Sequence, residues 1–171
     1  MSPRDIPLQS PIEDKIRWAD QAHQGLAASL LADRRVADLL GRLAGALERS
    51  RAVATRTGMG EICRACERER GGSCCGAGIE DRYDGRLLLI NRLLGVELPE
   101  RRLLQARCFF LGETGCLLPA RHVICVNFLC ENLARSIDQA RLAELREKEG
   151  VELEALFRLH DRLTVLMGDD G

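Results

Sequence analysis

The sequence predicts a mostly α-helical fold, in which an N-terminal helical hairpin and C-terminal helices frame a loop-rich centre. Apolar residues recur every three or four positions towards both ends of the 171-residue chain, which is the period of a helix with one buried face. Between Gly58 and Cys130 this period is interrupted, glycines accumulate, and all eight cysteines occur. We therefore predict a single domain over 1–171 with a helical arm (10–57), a cysteine-rich region (58–130) and C-terminal helices (131–171).

The arm is predicted to contain two packed helices. A helix start is indicated by Ser10, Pro11 and Glu13. They offer a capping hydroxyl, a proline where no N–H is needed and a carboxylate that completes the capping interaction. The first apolar stripe ends near Asp33 and consists of Ile12, Ile16, Ala19, His23, Leu26 and Leu30. The second consists of Val36, Leu40, Leu43, Leu47 and Ala54. We expect a hairpin that serves as scaffold or as the surface for a protein partner.

Three further helices are predicted. The segment "DGRLLLINRLLG" indicates a short helix from Asp84 that ends at Gly95, since a capping side chain and a terminal glycine bracket it. From Glu131 onward two more helices are expected, with stops at Gly150 and Gly168. The second of them carries one apolar stripe, Leu156, Leu159, Leu163 and Leu166.

Net charge and the distribution of apolar residues limit which partners and which cellular compartment are expected. The formal net charge of -1 provides no overall attraction to nucleic acid or to an anionic membrane, so neither is expected as a partner. The apolar runs are far shorter than the ~18 residues that a membrane helix requires. Pro3, Pro7 and Pro11 interrupt the N-terminus where a secretory signal would need an apolar core. We therefore predict a cytoplasmic protein.

The cysteines form two blocks. The first is Cys63-x2-Cys66-x7-Cys74-Cys75, and the second is Cys108-x7-Cys116-x8-Cys125-x4-Cys130. Two residues between thiolates allow a pair to bind one metal from a single turn. In a reducing compartment such grouping favours metal ligation over disulfides, and buried inert thiols are the other alternative. Four thiolates suit either tetrahedral zinc or an iron–sulfur cluster, so the metal stays open.

Adjacent cysteines pose a geometric problem. Neighbouring side chains point to opposite sides of an extended chain and diverge by about 100 degrees in a helix. Cys74 and Cys75 can therefore ligate one metal only through a distorted turn, which Gly71, Gly72 and Gly76 would permit. Otherwise the two sulfurs serve different metals, or one ligates while the other packs. Several arginines are near enough in sequence to offset a negative thiolate site: Arg64, Arg68, Arg107 and Arg121.

The motifs "CRACERERGGSCC", "CFFLGETGC" and "RHVICVNF" resemble the YkgJ-like family of zinc- or iron-chelating proteins of the CxxCxxCC type. The cysteine domain of flagellin lysine N-methylase is also similar to that family. The resemblance covers roughly 63–130 and implies metal chelation by the matching cysteines: Cys63, Cys66, Cys74, Cys75, Cys108, Cys116 and Cys125. Accompanying family positions are matched by Phe110, Leu111, Gly115, Arg121 and Phe128.

Three departures from the family pattern add candidates. The gap between Cys66 and Cys74 is longer, His122 stands where the family has proline, and Cys130 is extra. His122 is a candidate ligand or proton carrier, against the alternative of a histidine that packs beside the site or reaches solvent. Cys130 either replaces a ligand or is an ordinary buried thiol. The other two histidines, His23 and His160, lie on or beside apolar stripes and are expected to be packing or boundary residues rather than ligands.

The sequence thus predicts a metal-binding protein that coordinates zinc or an iron–sulfur cluster, and it leaves catalysis open. One alternative is a redox or group-transfer enzyme, for example in protein lysine methylation, that uses an iron–sulfur cluster. Another is an interaction module held by structural zinc. No phosphate-binding loop or other cofactor motif accompanies the cysteines.

Overall fold

The computed structural model describes residues 5–70 and 74–168, and of 67–70 only the backbone. These residues form seven α-helices, one short 3-10 helix and a two-stranded sheet, which confirms a mostly helical fold. In chain order they are α1 (Ile12–Ala32), α2 (Arg34–Arg56), α3 (Met59–Arg70), the 3-10 helix (Ile79–Arg82), α4 (Gly85–Leu93), β1 (Leu111–Gly112), β2 (Gly115–Cys116), α5 (Val123–Asn127), α6 (Glu131–Ser136) and α7 (Gln139–Met167).

The helical body has two packed pairs. The largest contact is that of α2 along α7, and the next is that of α1 against α4. The contact between α1 and α2 is smaller than either. Residues 10–57 thus form much of the body of the fold, with apolar side chains such as Ile16, Leu43 and Leu47 in its main core.

Several predicted helix ends are confirmed. Asp33 separates α1 from α2 and accepts a hydrogen bond from the Val36 N–H at 2.9 Å. Asp84 caps α4 by accepting from the Leu87 N–H at 2.7 Å. Such caps satisfy N–H groups that have no partner within the helix. Gly168 ends α7 with a φ of 83°, a conformation that favours glycine.

Three details of the predicted helices are wrong. Pro11 takes the N-cap position of α1, and no side chain caps that helix, so Ser10 is not its cap. Gly150 does not end a helix, because α7 runs through it as one helix of 29 residues. The break lies earlier, at Asp138, whose carboxylate accepts from two N–H groups of the first turn of α7. Leu166 is 39% exposed, and the apolar stripe of α7 continues from Leu163 to Met167, which packs on the main core.

α1 and α4 approach each other closely at Gly85. A Cβ atom there would lie 2.6 Å from Cε3 of Trp18 and 2.8 Å from Cγ2 of Ile6. Both distances are far shorter than the ≈ 3.5–4.0 Å optimum of a carbon–carbon contact. The lack of a side chain at this position therefore permits the contact between the two helices.

A buried amide fixes the segment between β2 and α5 to the helical body. Asn91 on α4 has no exposed surface. Its Nδ2 donates to the carbonyls of Leu87 and Ala120, both at 2.9 Å, and its Oδ1 accepts from the Ala120 N–H at 3.0 Å. Ala120 lies between two cysteines of the second block, so Asn91 helps to position that block.

The helices carry charged residues along their exposed faces. Ion pairs such as Arg42 with Asp38 and Arg158 with Glu154 join neighbouring turns of α2 and α7. Within residues 5–70 and 74–168, no helix has the length and apolar character needed to cross a membrane.

Candidate metal centre

A cleft of about 750 Å³ lies at the junction of α2, α3 and the β1–β2 turn. Cysteines from both sequence blocks line it, namely Cys63, Cys74, Cys75 and Cys116. Cys63 comes from α3, Cys116 from β2, and the adjacent pair from the segment between α3 and the 3-10 helix. The fold thus brings the two blocks to one opening.

The cysteine region contains more regular structure than the loop-rich centre that the sequence predicts. Cys63 and Cys66 lie three residues apart on α3, which places both on one face of that helix. Cys116 ends β2 and is paired in register with Leu111 of β1. The Cys75 carbonyl accepts from the Cys108 N–H at 2.8 Å. This bond holds the end of the first block against the start of the second.

The other four cysteines are not among the described residues that line the cleft. Cys108 is buried in the main core. Cys125 lies on α5, and its sulfur accepts a hydrogen bond from the Tyr83 hydroxyl at 3.9 Å. Cys130 is the N-cap of α6, where its sulfur accepts from the Leu133 N–H at 3.4 Å. All eight cysteines are free thiols.

The chemistry of these residues fits zinc or an iron–sulfur cluster, since four thiols face one cleft and none is consumed in a disulfide. Their spacing does not form a closed ligand cage. Among the side chains that the structure describes, no three from His, Cys, Asp and Glu converge as a metal-binding group. The cysteines therefore share a neighbourhood without surrounding a common point.

Burial and the neighbouring cysteines change the pKa values of the thiols. Burial raises the pKa of the half-buried Cys63 and Cys125, and raises that of Cys108 to about 11. A hydrogen bond between Cys74 and Cys75 raises the pKa of Cys74 and lowers that of Cys75. Within this pair the thiolate is therefore favoured at Cys75, with Cys74 as the hydrogen-bond donor.

Of the arginines predicted to offset the thiolates, Arg121 supplies most of the positive charge near the cysteines. Its guanidinium opposes the upward pKa shifts of Cys116 and Cys125, and both Arg121 and Arg64 line the cleft. Arg107 instead pairs through its backbone with Gly76. The side chain of Arg68 and the predicted turn glycines Gly71 and Gly72 lie outside the described residues.

The structure gives His122 a helix-capping contact. Its Nδ1 accepts from the Ile124 N–H at 3.2 Å at the start of α5. Its backbone N–H donates to the Tyr83 hydroxyl at 3.1 Å, and burial lowers the pKa of its imidazole. His122 is not among the described residues that line the cleft. Of the other histidines, His160 is a half-buried residue at the edge of the core, and its ring contacts the Asp84 carboxylate at 3.1 Å.

The sequence analysis missed two buried carboxylates beside the cleft. Glu149 and Glu152 lie on the inner face of α7 and are 4% and 2% exposed. Glu149 lines the cleft and accepts from Arg146 at 2.7 Å, whereas Glu152 accepts from Ser50 and lies 3.9 Å from Arg121. Burial raises the pKa of both carboxyls. Their burial could have been predicted from the sequence pattern, because both carboxylates lie on the apolar face of α7 that is formed by Leu142, Leu145, Leu156, Leu159 and Leu163.

A third missed residue is Tyr83, the largest fully buried side chain of the described residues. Its ring packs against Phe110 at 5.0 Å between centroids, while its hydroxyl contacts Cys125 and the His122 backbone. It therefore connects α5 to the core beneath the cysteines.

Comparisons with protein-family models, with curated proteins and with solved structures found no match, so the resemblance to the YkgJ-like family stays a prediction.

Proposed function

We propose that this protein binds zinc or an iron–sulfur cluster through cysteine thiolates in a reducing compartment, the cytoplasm. The observation that carries the proposal is the cleft lined by four free cysteines from both sequence blocks. A chain that used these residues only as small apolar core side chains would have no reason to group them at an opening. Binding would draw the thiols closer than they lie now.

The residues around the thiols suit a negatively charged centre. Arg121 supplies positive charge near Cys116 and Cys125, and the Tyr83 hydroxyl donates to the Cys125 sulfur. Hydrogen bonds and charge around a metal thiolate tune its stability and potential. When bound, zinc would supply structural cross-linking, and an iron–sulfur cluster would supply electron transfer.

The test is metal analysis and an absorption spectrum of protein purified without oxygen. Iron with broad visible absorption identifies an iron–sulfur protein, and zinc without colour identifies a zinc protein. The Cys75→Ser variant is expected to lose metal, whereas Ala77→Ser, which adds a hydroxyl to an exposed position in the same segment, should retain it. Wild-type protein that contains neither zinc nor iron would contradict the proposal.

A second candidate is a redox or group-transfer enzyme, and the size of the cleft favours it. A volume of about 750 Å³ falls within the ≈ 300–1,000 Å³ of small-molecule sites. The cleft also presents Glu149 and Arg121 beside the cysteines, so acid–base and charged groups lie next to the thiols. Titration of the metal-loaded protein with S-adenosylmethionine tests the methyl-transfer version, which is rejected if no binding is measured.

A further inference from the structure

The elements that carry the eight cysteines divide them into two sets. We call them the hairpin set, Cys75, Cys108, Cys116 and Cys125, and the helix set, Cys63, Cys66, Cys74 and Cys130. The division follows from which core each element packs against and from the contacts between neighbouring cysteines.

The hairpin set is held against the main core. Cys108 is buried in that core, and Cys75 and Cys125 pack on it. The hydrogen bond between the Cys75 carbonyl and the Cys108 N–H joins the two chain segments. The β1–β2 turn then brings Cys116 back beside them.

The helix set belongs to a separate, smaller core. α3, which carries Cys63 and Cys66, packs against α6, whose N-cap is Cys130. Cys63 and Cys130 both pack on the cluster formed by Leu133, Ile137 and Leu142. Cys74 lines the cleft together with Cys63 and, unlike Cys75, is not among the described residues that pack on the main core. The fourth thiol near α3 is thus Cys74.

Cys74 and Cys75 meet at the boundary between the sets. Cys74 is exposed, whereas Cys75 is half-buried and packs on the main core, and both line the cleft. Chain geometry makes it difficult for two adjacent residues to ligate one mononuclear metal. Assigning one sulfur to each side removes that difficulty and gives each set four thiols, the number that tetrahedral zinc or an iron–sulfur cluster requires.

We propose that the protein holds two adjacent four-thiolate metal centres, one bound by the helix set and one by the hairpin set. This inference rests on the proposed function and adds its stoichiometry and ligand assignment. The two centres would share one opening, because Cys63 and Cys74 of one set and Cys75 and Cys116 of the other line the same cleft. The competing arrangement is a single centre held by those four cleft cysteines.

The decisive variants change cysteines that do not line the cleft, Cys130 and Cys125. Serine at position 130 keeps an oxygen that accepts from the Leu133 N–H, so Cys130→Ser preserves the cap of α6. Metal per chain is measured after anaerobic purification and brief exposure to a chelator, and far-UV circular dichroism verifies that each variant is folded. With two centres, Cys130→Ser and Cys125→Ser each lose half of the wild-type metal.

Paired substitutions test the assignment of sets. Cys63→Ser/Cys130→Ser removes two thiols from one set and should still lose only half of the metal. Cys125→Ser/Cys130→Ser removes one thiol from each set and should lose all of it. If folded Cys125→Ser and Cys130→Ser retain full metal, or if the wild type holds one centre per chain, the two-centre inference is overturned while metal binding stands. A wild type without zinc or iron rejects the proposed function itself.

Discussion

Replacement of Asn91 by alanine should destabilise the protein by removing the partners of a buried backbone segment. Ala120 is fully buried, and both its N–H and its C=O bond to the Asn91 side chain. Each buried polar group left without a partner costs about 1–3 kcal/mol. The expected loss in the free energy of unfolding is therefore about 2–6 kcal/mol, a large share of the ≈ 5–15 kcal/mol typical of a folded protein.

Urea unfolding followed by far-UV circular dichroism measures this loss. Asn91→Leu distinguishes lost hydrogen bonds from an empty cavity, because leucine fills the space without pairing Ala120, and it should be destabilised to a similar degree. The control is Asn132→Ala, a half-buried residue of α6 whose side chain makes no hydrogen bond within the described residues, and it should change stability by less than about 0.5 kcal/mol. A loss below about 1 kcal/mol in Asn91→Ala would refute the reasoning.

Three further changes test the packing, the buried charge and a helix cap. Gly85→Ala should lower stability by about 1–3 kcal/mol because its methyl group would overlap the indole ring of α1, whereas Gly41→Ala, on an exposed face of α2 with open space, should raise it by about 0.5–1 kcal/mol; thermal melting compares the two. Glu152→Gln should be more stable than the wild type at pH 7. Burial raises the carboxyl pKa above its ordinary 4.5, so the wild type loses stability as the pH rises through the folded-state pKa; equal pH profiles of urea unfolding would contradict this. Asp84→Ala should lose about 1–2 kcal/mol with its cap, and Asp84→Asn, which keeps an accepting oxygen, should lose less in the same assay.

Local signals made much of the helical fold predictable. The caps at Asp33 and Asp84 and the terminal Gly168 each satisfy helix-end groups through their own or neighbouring atoms, so nearby sequence determines them. Gly150 was wrongly predicted to end a helix. A glycine within a helix lowers stability by only about 1 kcal/mol, and the packing of α7 along α2 outweighs that loss. Which helices would pack together depends on contacts distant in sequence and could not be predicted from periodicity alone.

The sequence indicated which cysteines belong to the candidate site, but it did not indicate how they and their partners are arranged. Grouping of the cysteines indicated that both blocks would meet, and four of them do line one cleft. The buried Glu149 and Glu152 were missed because charged residues are rarely buried, although they continue the inner face of α7. Only the fold identifies their partners, since Ser50 on α2 and Arg121 before α5 are distant in the chain.

The separate apolar cluster beneath α3 and α6 has a consequence for dynamics. Of the side chains that the structure describes, three are buried in it, whereas the main core extends through α1, α2, α4 and α7. Segments with few buried apolar contacts open locally at a lower free energy than the whole molecule unfolds. Amide hydrogens of α6 should therefore exchange with solvent faster than those at the centre of α2. Metal bound by Cys63 and Cys130 would slow that exchange selectively, so its release would be detected as a local opening while the helical body stays folded.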